Sequence, residues 1–298
     1  MIALDAYLAS RRERIETALA AVFPGDPAHP HRLAEVIRYS LLGGGKRLRP
    51  ILALAACEAV GGDLEAALPV ACALEMIHTY SLVHDDLPSM DDDALRRGRP
   101  TAHVAFGEGL AVLAGDALLT EAFAHLARAA EQARRPRRLL QAAREIGEAA
   151  GWRGMVGGQA ADLAAEGAGA DLALVEFIHV RKTGALLLAA VRAGGLVGGA
   201  NAAQLRRLTR YGECLGLAFQ IADDILDVEA PTARTGKTEG RDRQRRKATF
   251  PAVLGLPATK ARARALRDTA LGALRPLPES AEPLRALVRF IVERAAGA

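Results

Sequence analysis

The feature that most constrains the fold is a series of long segments, rich in alanine and leucine, that are apolar around most of a helical circumference. Half of the 298 residues are apolar, and only 4% are aromatic. Ala and Leu lose little freedom in a helix, whereas β-branched residues lose rotamers. Helices that are apolar on most sides must be buried inside a large bundle. We therefore predict an all-α fold, in which any inward-facing polar group requires a reason.

Prolines and glycines divide this chain into long helical segments. We expect helices at residues 50–68, 70–87, 101–135, 137–166, 171–196 and 201–229. The sequence shows no sustained strand alternation, no internal repeat and no linker rich in Ser, Gly or Pro. These features predict one domain over residues 1–298, built as a single large bundle of mostly antiparallel helices around a central cavity.

Composition and charge argue against several classes of protein. The net charge of +4 is modest, and the basic run "RRPRR" at 134–138 has no aromatic residues for base stacking, so we expect no nucleic-acid partner. The N-terminal segment resembles an amphipathic helix rather than a signal peptide. The most apolar stretch is broken by Arg192, which argues against membrane insertion. We expect a cytoplasmic protein, in line with three scattered thiols without metal-ligand spacing: Cys57, Cys72 and Cys214.

A first group of carboxylates follows an apolar helical run, in "HDDLPSMDDD" at residues 84–93. Pro88 should end the helix, so that the chain can curl back and bring Asp91 toward Asp85. A solvated loop is the alternative, although acidic groups are unfavourable at the negative end of the helix dipole.

A second group lies in "FQIADDILDV" at residues 219–228. On a helical wheel its polar members lie within about 100° of one another on an otherwise apolar helix. They are Gln220, Asp223, Asp224 and Asp227. A solvated outer face is again the alternative. If both groups line one cavity, they form an all-oxygen site of the kind that Mg²⁺ prefers.

Basic residues accompany both groups. The glycine-rich segment "GGGKRLRP" at 43–50 lacks the spacing of a P-loop, but it combines mobile backbone with adjacent cations, as phosphate binding requires. The basic residues concerned are Lys46, Arg47, Arg49, Arg96, Arg97, Lys237 and Lys247. Alternating acidic and basic groups indicate a substrate with two phosphates, bridged to aspartates by magnesium.

From about residue 35 almost to the C-terminus, the chain resembles the trans-isoprenyl diphosphate synthases (polyprenyl synthetases), most closely the bacterial-type farnesyl diphosphate synthases. The motifs that carry the resemblance are "LLGGGKRLRP", "MIHTYSLVHDDLPSMDDDALRRGRPTAH", "LAGDALL", "GMVGGQAADL", "KTGALL", "FQIADDILD" and "GKTEGRDRQRRKATFP". The resemblance implies an all-α prenyltransferase, usually a homodimer.

The resemblance also implies roles for individual residues. Magnesium, at three ions per site, would be held by Asp85, Asp91 and Asp223, with Asp86, Asp224 and Asp227 close by. The diphosphate of isopentenyl diphosphate would be bound by Lys46, Arg49, His78 and Arg97. The allylic diphosphate and the cation beneath it would contact Arg96, Lys182, Thr183, Gln220 and Lys237, with Lys247 as a further basic group near that site.

The implied reaction is a head-to-tail (1'-4) condensation of isopentenyl diphosphate with dimethylallyl or geranyl diphosphate, giving farnesyl diphosphate and diphosphate. Tyr80 and Ser81 lie about one turn before Asp85 and are candidates for the floor of the product pocket. By the ideal wheel Ser81 lies under Asp85, whereas Tyr80 is about 140° round from it.

Three other functions remain open. The chain is alternatively a synthase of geranylgeranyl (C20) or longer products. A class I terpene cyclase would also use aspartates and Mg²⁺, but it would not need a second diphosphate site. A non-catalytic synthase subunit should have lost part of an aspartate motif, and both motifs are intact here.

Overall fold

A computed structural model of the chain describes residues 3–24, 31–165, 171–229 and 249–297. Helices form nearly all of the regular structure in these ranges, which confirms the all-α prediction. The first half contains α1 (Leu4–Val22), α2 (His31–Leu41), α3 (Leu48–Ala59), α4 (Leu64–Asp85), the strands β1 (Leu95–Arg96) and β2 (Arg99–Pro100), α5 (Ala102–Phe106) and α6 (Glu108–Gln132).

The second half contains α7 (Pro136–Ala150), α8 (Met155–Ala165), α9 (Leu172–Ile178), a π-helical segment (His179–Gly184), α10 (Ala185–Gly198), α11 (Ala202–Glu229), α12 (Phe250–Leu254), α13 (Leu256–Leu274), a 3₁₀ turn (Glu279–Ala281) and α14 (Glu282–Ala296). The division of residues 1–298 into a single domain stays a prediction.

Helices α4 and α10 lie at the centre of the bundle. Helix α4 packs against α3, α6 and α10, and α10 packs in addition against α7 and α11. Both central helices are apolar on nearly every face, and most of their side chains are buried. A smaller apolar cluster joins α9, α11, α12, α13 and α14 at one end of the bundle. The polar residues of α4 are therefore placed inside the molecule, where each requires a partner.

Several predicted boundaries are wrong. The break expected at Pro69 lies instead at Gly61–Gly62, where Gly61 has a φ of +77° and Asp63 caps α4 by accepting a hydrogen bond from Glu65 N. Pro69 lies inside α4 and removes only one backbone donor from a helix that is otherwise held by packing.

The other differences arise from short interruptions. Gly107, with a φ of +90°, separates α5 from α6. Residues 151–154 separate α7 from α8, and the π-helical segment interrupts the helix expected over 171–196. The antiparallel ribbon of β1 and β2 is a further correction, because two-residue strands are too short to produce a detectable alternation.

Two described helices, α4 and α6, are long and apolar enough to cross a membrane by length and composition alone. In the 18-residue apolar window of each helix, 67% of the α4 window and 33% of the α6 window is buried inside the bundle. Since the core helices of globular proteins pass the same test, this finding assigns no membrane segment. The expected absence of membrane insertion stays a prediction.

The central packing leads to a testable prediction at Gly194 on α10. A Cβ there would overlap the carbonyl oxygen of Ala53, so α10 and α3 pack backbone to backbone. We expect Gly194→Ala to lower the free energy of unfolding by about 1–3 kcal/mol, measured by urea denaturation. The matched control is Gly272→Ala, because Gly272 lies in α13 with open space around its Cβ position. An equal effect of both substitutions would contradict the close helix contact.

Candidate active site

The first aspartate group lies where α4 ends. Asp91 N donates a hydrogen bond to Asp85 O at 2.8 Å, and Asp93 N donates to Asp86 O at 3.1 Å. The turn around Pro88 therefore folds the chain back on the end of the helix. This confirms the prediction that Asp91 returns to the neighbourhood of Asp85.

The carboxylate of Asp85 is held in a partly desolvated position. Its pKa is raised to about 6, chiefly by burial; the ammonium of Lys182 opposes this shift, and the charge of Asp91 adds to it. A buried carboxylate beside other carboxylates is stabilised by added positive charge. The first aspartate group thus has the donor chemistry of a site for a hard cation.

Asp86 faces a different environment. It is buried, and Arg96 donates to it from Nε at 2.8 and 2.9 Å and from Nη2 at 2.6 Å. Burial raises the pKa of Asp86, and the Arg96 bonds oppose this shift. Two of the three guanidinium nitrogens of Arg96 are therefore engaged by Asp86, and its contact with a substrate phosphate stays a prediction.

The π-helical segment carries Lys182 and Thr183 toward both aspartate groups. Lys182 Nζ lies 2.6 Å from Asp162 Oδ2 on α8. Burial lowers the pKa of Lys182, but Asp162, Asp85 and Asp91 together leave it raised, so the side chain is charged. Its ammonium thus interacts electrostatically with the first aspartate group.

Thr183 connects the same segment to α11. Its Oγ1 donates to Gln220 Oε1 at 2.9 Å, and Gln220 Nε2 donates to Asp224 Oδ1 at 3.1 Å. A Cβ on Gly216 would lie 2.8 Å from the Cα of Gly184, so α11 and the π-helical segment meet backbone to backbone. The wider π turn and these small residues bring Thr183 and Gln220 into contact.

The second aspartate group divides in two. Asp223 is exposed, whereas Asp224 is buried and accepts a hydrogen bond from Phe250 N at 3.0 Å. The imidazole of His179 stacks on the Phe250 ring, with Nε2 3.6 Å from Asp224 Oδ1. The residues of the acidic stripe predicted from the wheel therefore differ in their surroundings: Asp224 is buried and holds the beginning of α12, while Asp223 is exposed.

The glycine-rich segment lies beside the β-ribbon. Gly44 and Gly45 have φ values of +87° and +144°, and a Cβ on Gly45 would lie 2.6 Å from Arg97 Nη1. Arg97 Nη1 donates to Gly44 O. The positive φ favours glycine at both positions, and at Gly45 a side chain would also displace the Arg97 guanidinium.

The charges of Arg49 and Arg97 both act on His78, so these three side chains form a candidate basic pocket beside this segment. Burial lowers the pKa of Arg49 to about 10, with Glu75 opposing the shift, and Arg49 Nε has no hydrogen-bond partner within the described residues. Burial and the neighbouring arginines lower the pKa of His78 well below its usual range, so its imidazole is neutral. A bound phosphate would satisfy the unpaired guanidinium donor.

The two candidate chain-length residues lie on α4 below Asp85. Tyr80 is buried, and its ring meets His84 edge-on at 5.8 Å between centroids. Burial and then the charge of Asp85 raise the pKa of Tyr80. Ser81 donates from Oγ to His78 O at 2.9 Å. Their role in product length stays a prediction.

Sequence reasoning assigned no role to Gln159 and Asp162 on α8. Both amide atoms of Gln159 are buried and have no hydrogen-bond partner in the part of the chain that the structure describes. The signal was present in "GGQAADL", where two polar residues three apart share one face of a helix of small residues. Two other predicted residues, Lys237 and Lys247, lie outside the described residues, so their placement stays a prediction.

The described ranges contain no group of three or more His, Cys, Asp or Glu side chains close enough to hold a metal ion. Mg²⁺ in proteins is usually held by one or two carboxylates together with substrate phosphates and water. The donor set at Asp85 and Asp91 fits that arrangement, in which the ion is shared with a diphosphate.

The polyprenyl synthetase family model matches residues 30–277. The chain belongs to this family. It is 48% identical over 259 residues to a farnesyl diphosphate synthase of Geobacillus stearothermophilus, covering 87% of each chain. It is 45% identical over 292 residues to geranylgeranyl pyrophosphate synthase 12 of Arabidopsis thaliana, covering 97% of this chain and 81% of that one.

Among solved structures, the chain is similar to an FPP/GFPP synthase of Zymomonas mobilis, with a TM-score of 0.87 and 40% identity. The match covers 97% of this chain and 98% of that one. These matches confirm the family resemblance and the fold. The protein is a prenyltransferase that carries out prenyl chain elongation. The names of its relatives include both farnesyl and geranylgeranyl diphosphate synthases, so family membership leaves the product open.

The raised pKa of Asp85 predicts an unusual pH dependence. Well below pH 4 the carboxyl is protonated in the folded and unfolded chains, and well above pH 6 it is charged in both. Between these values the folded state binds more protons, so this group lowers the stability of the metal-free protein as pH rises. We expect Asp85→Asn to raise the Tm at pH 7 by about 2–4 °C and to leave it unchanged at pH 4.

The measurement is calorimetry with a chelator at both pH values. Asp268→Asn is the control, since the Asp268 side chain is 64% exposed. A gain in Tm from Asp85→Asn of equal size at pH 4 and pH 7 would contradict the burial of a titrating carboxylate.

Proposed function

We propose that the protein is a magnesium-dependent farnesyl diphosphate synthase that condenses isopentenyl diphosphate with dimethylallyl and then geranyl diphosphate. The observation that carries this proposal is that two chemically different groups of side chains meet α4, one at His78 and one at Asp85. Asp85 and Lys182 mark an acidic, cation-requiring site, while Arg49 and His78 mark a basic pocket. Seven residues of helix separate His78 from Asp85, or about 10 Å, so two diphosphates can be held side by side.

Substrate binding divides between these sites. Arg49, Arg97 and His78, together with Lys46, are proposed to bind the diphosphate of isopentenyl diphosphate. Asp85 and Asp91 from one side, and Asp223 from the other, are proposed to hold Mg²⁺ on the allylic diphosphate, with three ions per site. When bound, the metal stabilises charge on the departing diphosphate.

The remaining side chains act on the allylic carbon. Lys182, together with Arg96, Lys237 and Lys247, is proposed to stabilise the departing diphosphate, so that the allylic C–O bond ionises. The Thr183 hydroxyl and the Gln220 amide, joined at 2.9 Å, place oxygen dipoles where the allylic cation forms. The double bond of isopentenyl diphosphate then attacks this cation, and a proton is lost, with the released diphosphate as the base. Apolar helix walls exclude the water that would quench the cation.

The farnesyl product is supported by Tyr80. Its buried ring packs against His84, lies close enough to Asp85 to feel that charge, and would block a longer chain. A geranylgeranyl or longer product is the second candidate, favoured by the small Ser81 on the helix face of Asp85 and by relatives named geranylgeranyl pyrophosphate synthase.

Chromatography of the products made from isopentenyl diphosphate with each allylic primer and Mg²⁺ tests the function. We expect farnesyl diphosphate as the main product from both primers, and no condensation when a chelator is present. A main product of C20 or longer would replace the farnesyl assignment. Release of cyclic hydrocarbons without incorporation of labelled isopentenyl diphosphate would indicate a cyclase instead.

The pocket floor can be tested by Tyr80→Ala. Removing the ring should lengthen the product toward C20, because the space below Asp85 is then open to a further isoprene unit. The control is Tyr80→Phe, which keeps the bulk and should leave the product at C15. An unchanged C15 product from Tyr80→Ala would show that another residue stops the chain.

We also propose a cytoplasmic homodimer. The three cysteines are buried and unpaired, as suits a reducing compartment. Helix α6 supports the dimer, because it exposes the apolar side chains of Val112 at 39% and Leu113 at 54%, and only 33% of its apolar window is buried. A second copy would remove these apolar side chains from water.

This dimer gives a further prediction. Leu113→Arg should shift the molar mass measured by light scattering from a dimer to a monomer, because a charge would be buried in the interface. Phe290→Arg on α14 is the control, since Phe290 is 44% exposed on a different helix and should leave the dimer intact. A Leu113→Arg variant that stays dimeric would exclude this face of α6 as the interface.

A further inference from the structure

A buried ion pair joins the glycine-rich segment to α4. Arg47 and Glu75 are each only 2% exposed, and Arg47 Nη1 donates to Glu75 Oε1 at 2.7 Å. Arg47 Nη2 donates to Leu41 O at 2.8 Å, and its Nε lies 3.5 Å from Glu16 Oε1 on α1. Every polar group of this guanidinium therefore faces protein rather than the pocket.

The backbone of Arg47 explains its direction. Arg47 precedes α3 with a φ of +50°, in the left-handed region that non-glycine residues seldom adopt. The neighbouring Lys46 is exposed, while the Arg47 side chain is buried. Two adjacent cations of the same motif are thus used differently, one toward solvent and one toward the core.

Glu75 faces more than one arginine. Its charge also acts on Arg49 and Arg97, the two guanidinium groups of the proposed isopentenyl diphosphate pocket. Its second oxygen, Oε2, is buried without a hydrogen-bond partner among the described residues. An unpaired carboxylate at this place would compete with a substrate diphosphate for Arg49.

We propose that Arg47 is a positioning residue, which engages Glu75 so that Arg49 and Arg97 remain available to the diphosphate of isopentenyl diphosphate. The inference rests on the proposed function. Glu75 in turn reduces the repulsion among the clustered arginines.

The test compares Arg47→Met, Glu75→Gln and the double variant. In Arg47→Met the charge of Glu75 is left uncompensated and should draw Arg49 toward it. We expect the KM for isopentenyl diphosphate to rise by about tenfold or more, the effect of losing one charge-assisted phosphate contact. The KM for geranyl diphosphate and kcat should change by less than about twofold, since the Lys182 side of the cavity is untouched.

The double variant separates positioning from simple support of the fold. Removing the carboxylate as well should return the KM for isopentenyl diphosphate to within about threefold of the wild-type value, since nothing then withdraws Arg49. Glu75→Gln alone should bind at least as tightly as the wild type. A double variant with a KM for isopentenyl diphosphate as high as that of Arg47→Met would overturn the proposal. That result is expected if Arg47 only supports the structure of the glycine-rich segment, because both variants lack Arg47.

Binding of isopentenyl diphosphate without metal, measured by calorimetry, provides a second readout. If Arg47→Met does not fold, the comparison of wild type with the double variant decides, and a tenfold loss of affinity in the latter would contradict the inference. Arg144→Met is the matched control, since the Arg144 side chain is 59% exposed and pairs with Glu148 on α7.

If the wild type binds isopentenyl diphosphate but makes no prenyl product, the proposed function fails, while the binding comparison still tests Arg47.

Discussion

Charge buried along α4 is the constraint on which the rest of the site depends. This helix is apolar on nearly every side and central to the bundle, yet it contains Glu75 and His78 in its middle and Asp85 at its end. Burial is unfavourable for each charged form, so every such group either changes its pKa or takes a partner. Asp85 and His78 show the first response, and Glu75 shows the second through Arg47.

The π-helical segment is the second determinant, because it couples the two aspartate groups. Lys182 acts on the first group through its charge, and Thr183 reaches the second through Gln220. Close contacts at Gly184 and Gly216 allow this segment to lie directly against α11. The geometry of a proposed cation site therefore comes from backbone packing of small residues as well as from the polar side chains themselves.

Much of the fold and part of the site could be predicted from local pattern. The Ala and Leu content indicated helices, and Pro88 indicated the turn that returns Asp91 to Asp85. Predictions from local sequence pattern were wrong where tertiary packing outweighs local conformational preference. Pro69 lies inside α4 because buried contacts hold the helix, and Asp224 accepts a bond from Phe250 N, a partner on another helix that no helical wheel contains.

The sequence by itself determined the helical class, the family motifs and which residue types supply acidic and basic chemistry, because these depend on composition and short spacings along the chain. Only the tertiary structure decided which partner each of two neighbouring charged residues binds. Arg47 turns inward to Glu75 while Lys46 faces solvent, and Asp86 binds Arg96 while Asp85 is under the charge of Lys182. Adjacent residues of one motif have the same local chemistry, and their partners come from elements distant in the chain, so long-range packing assigns their roles.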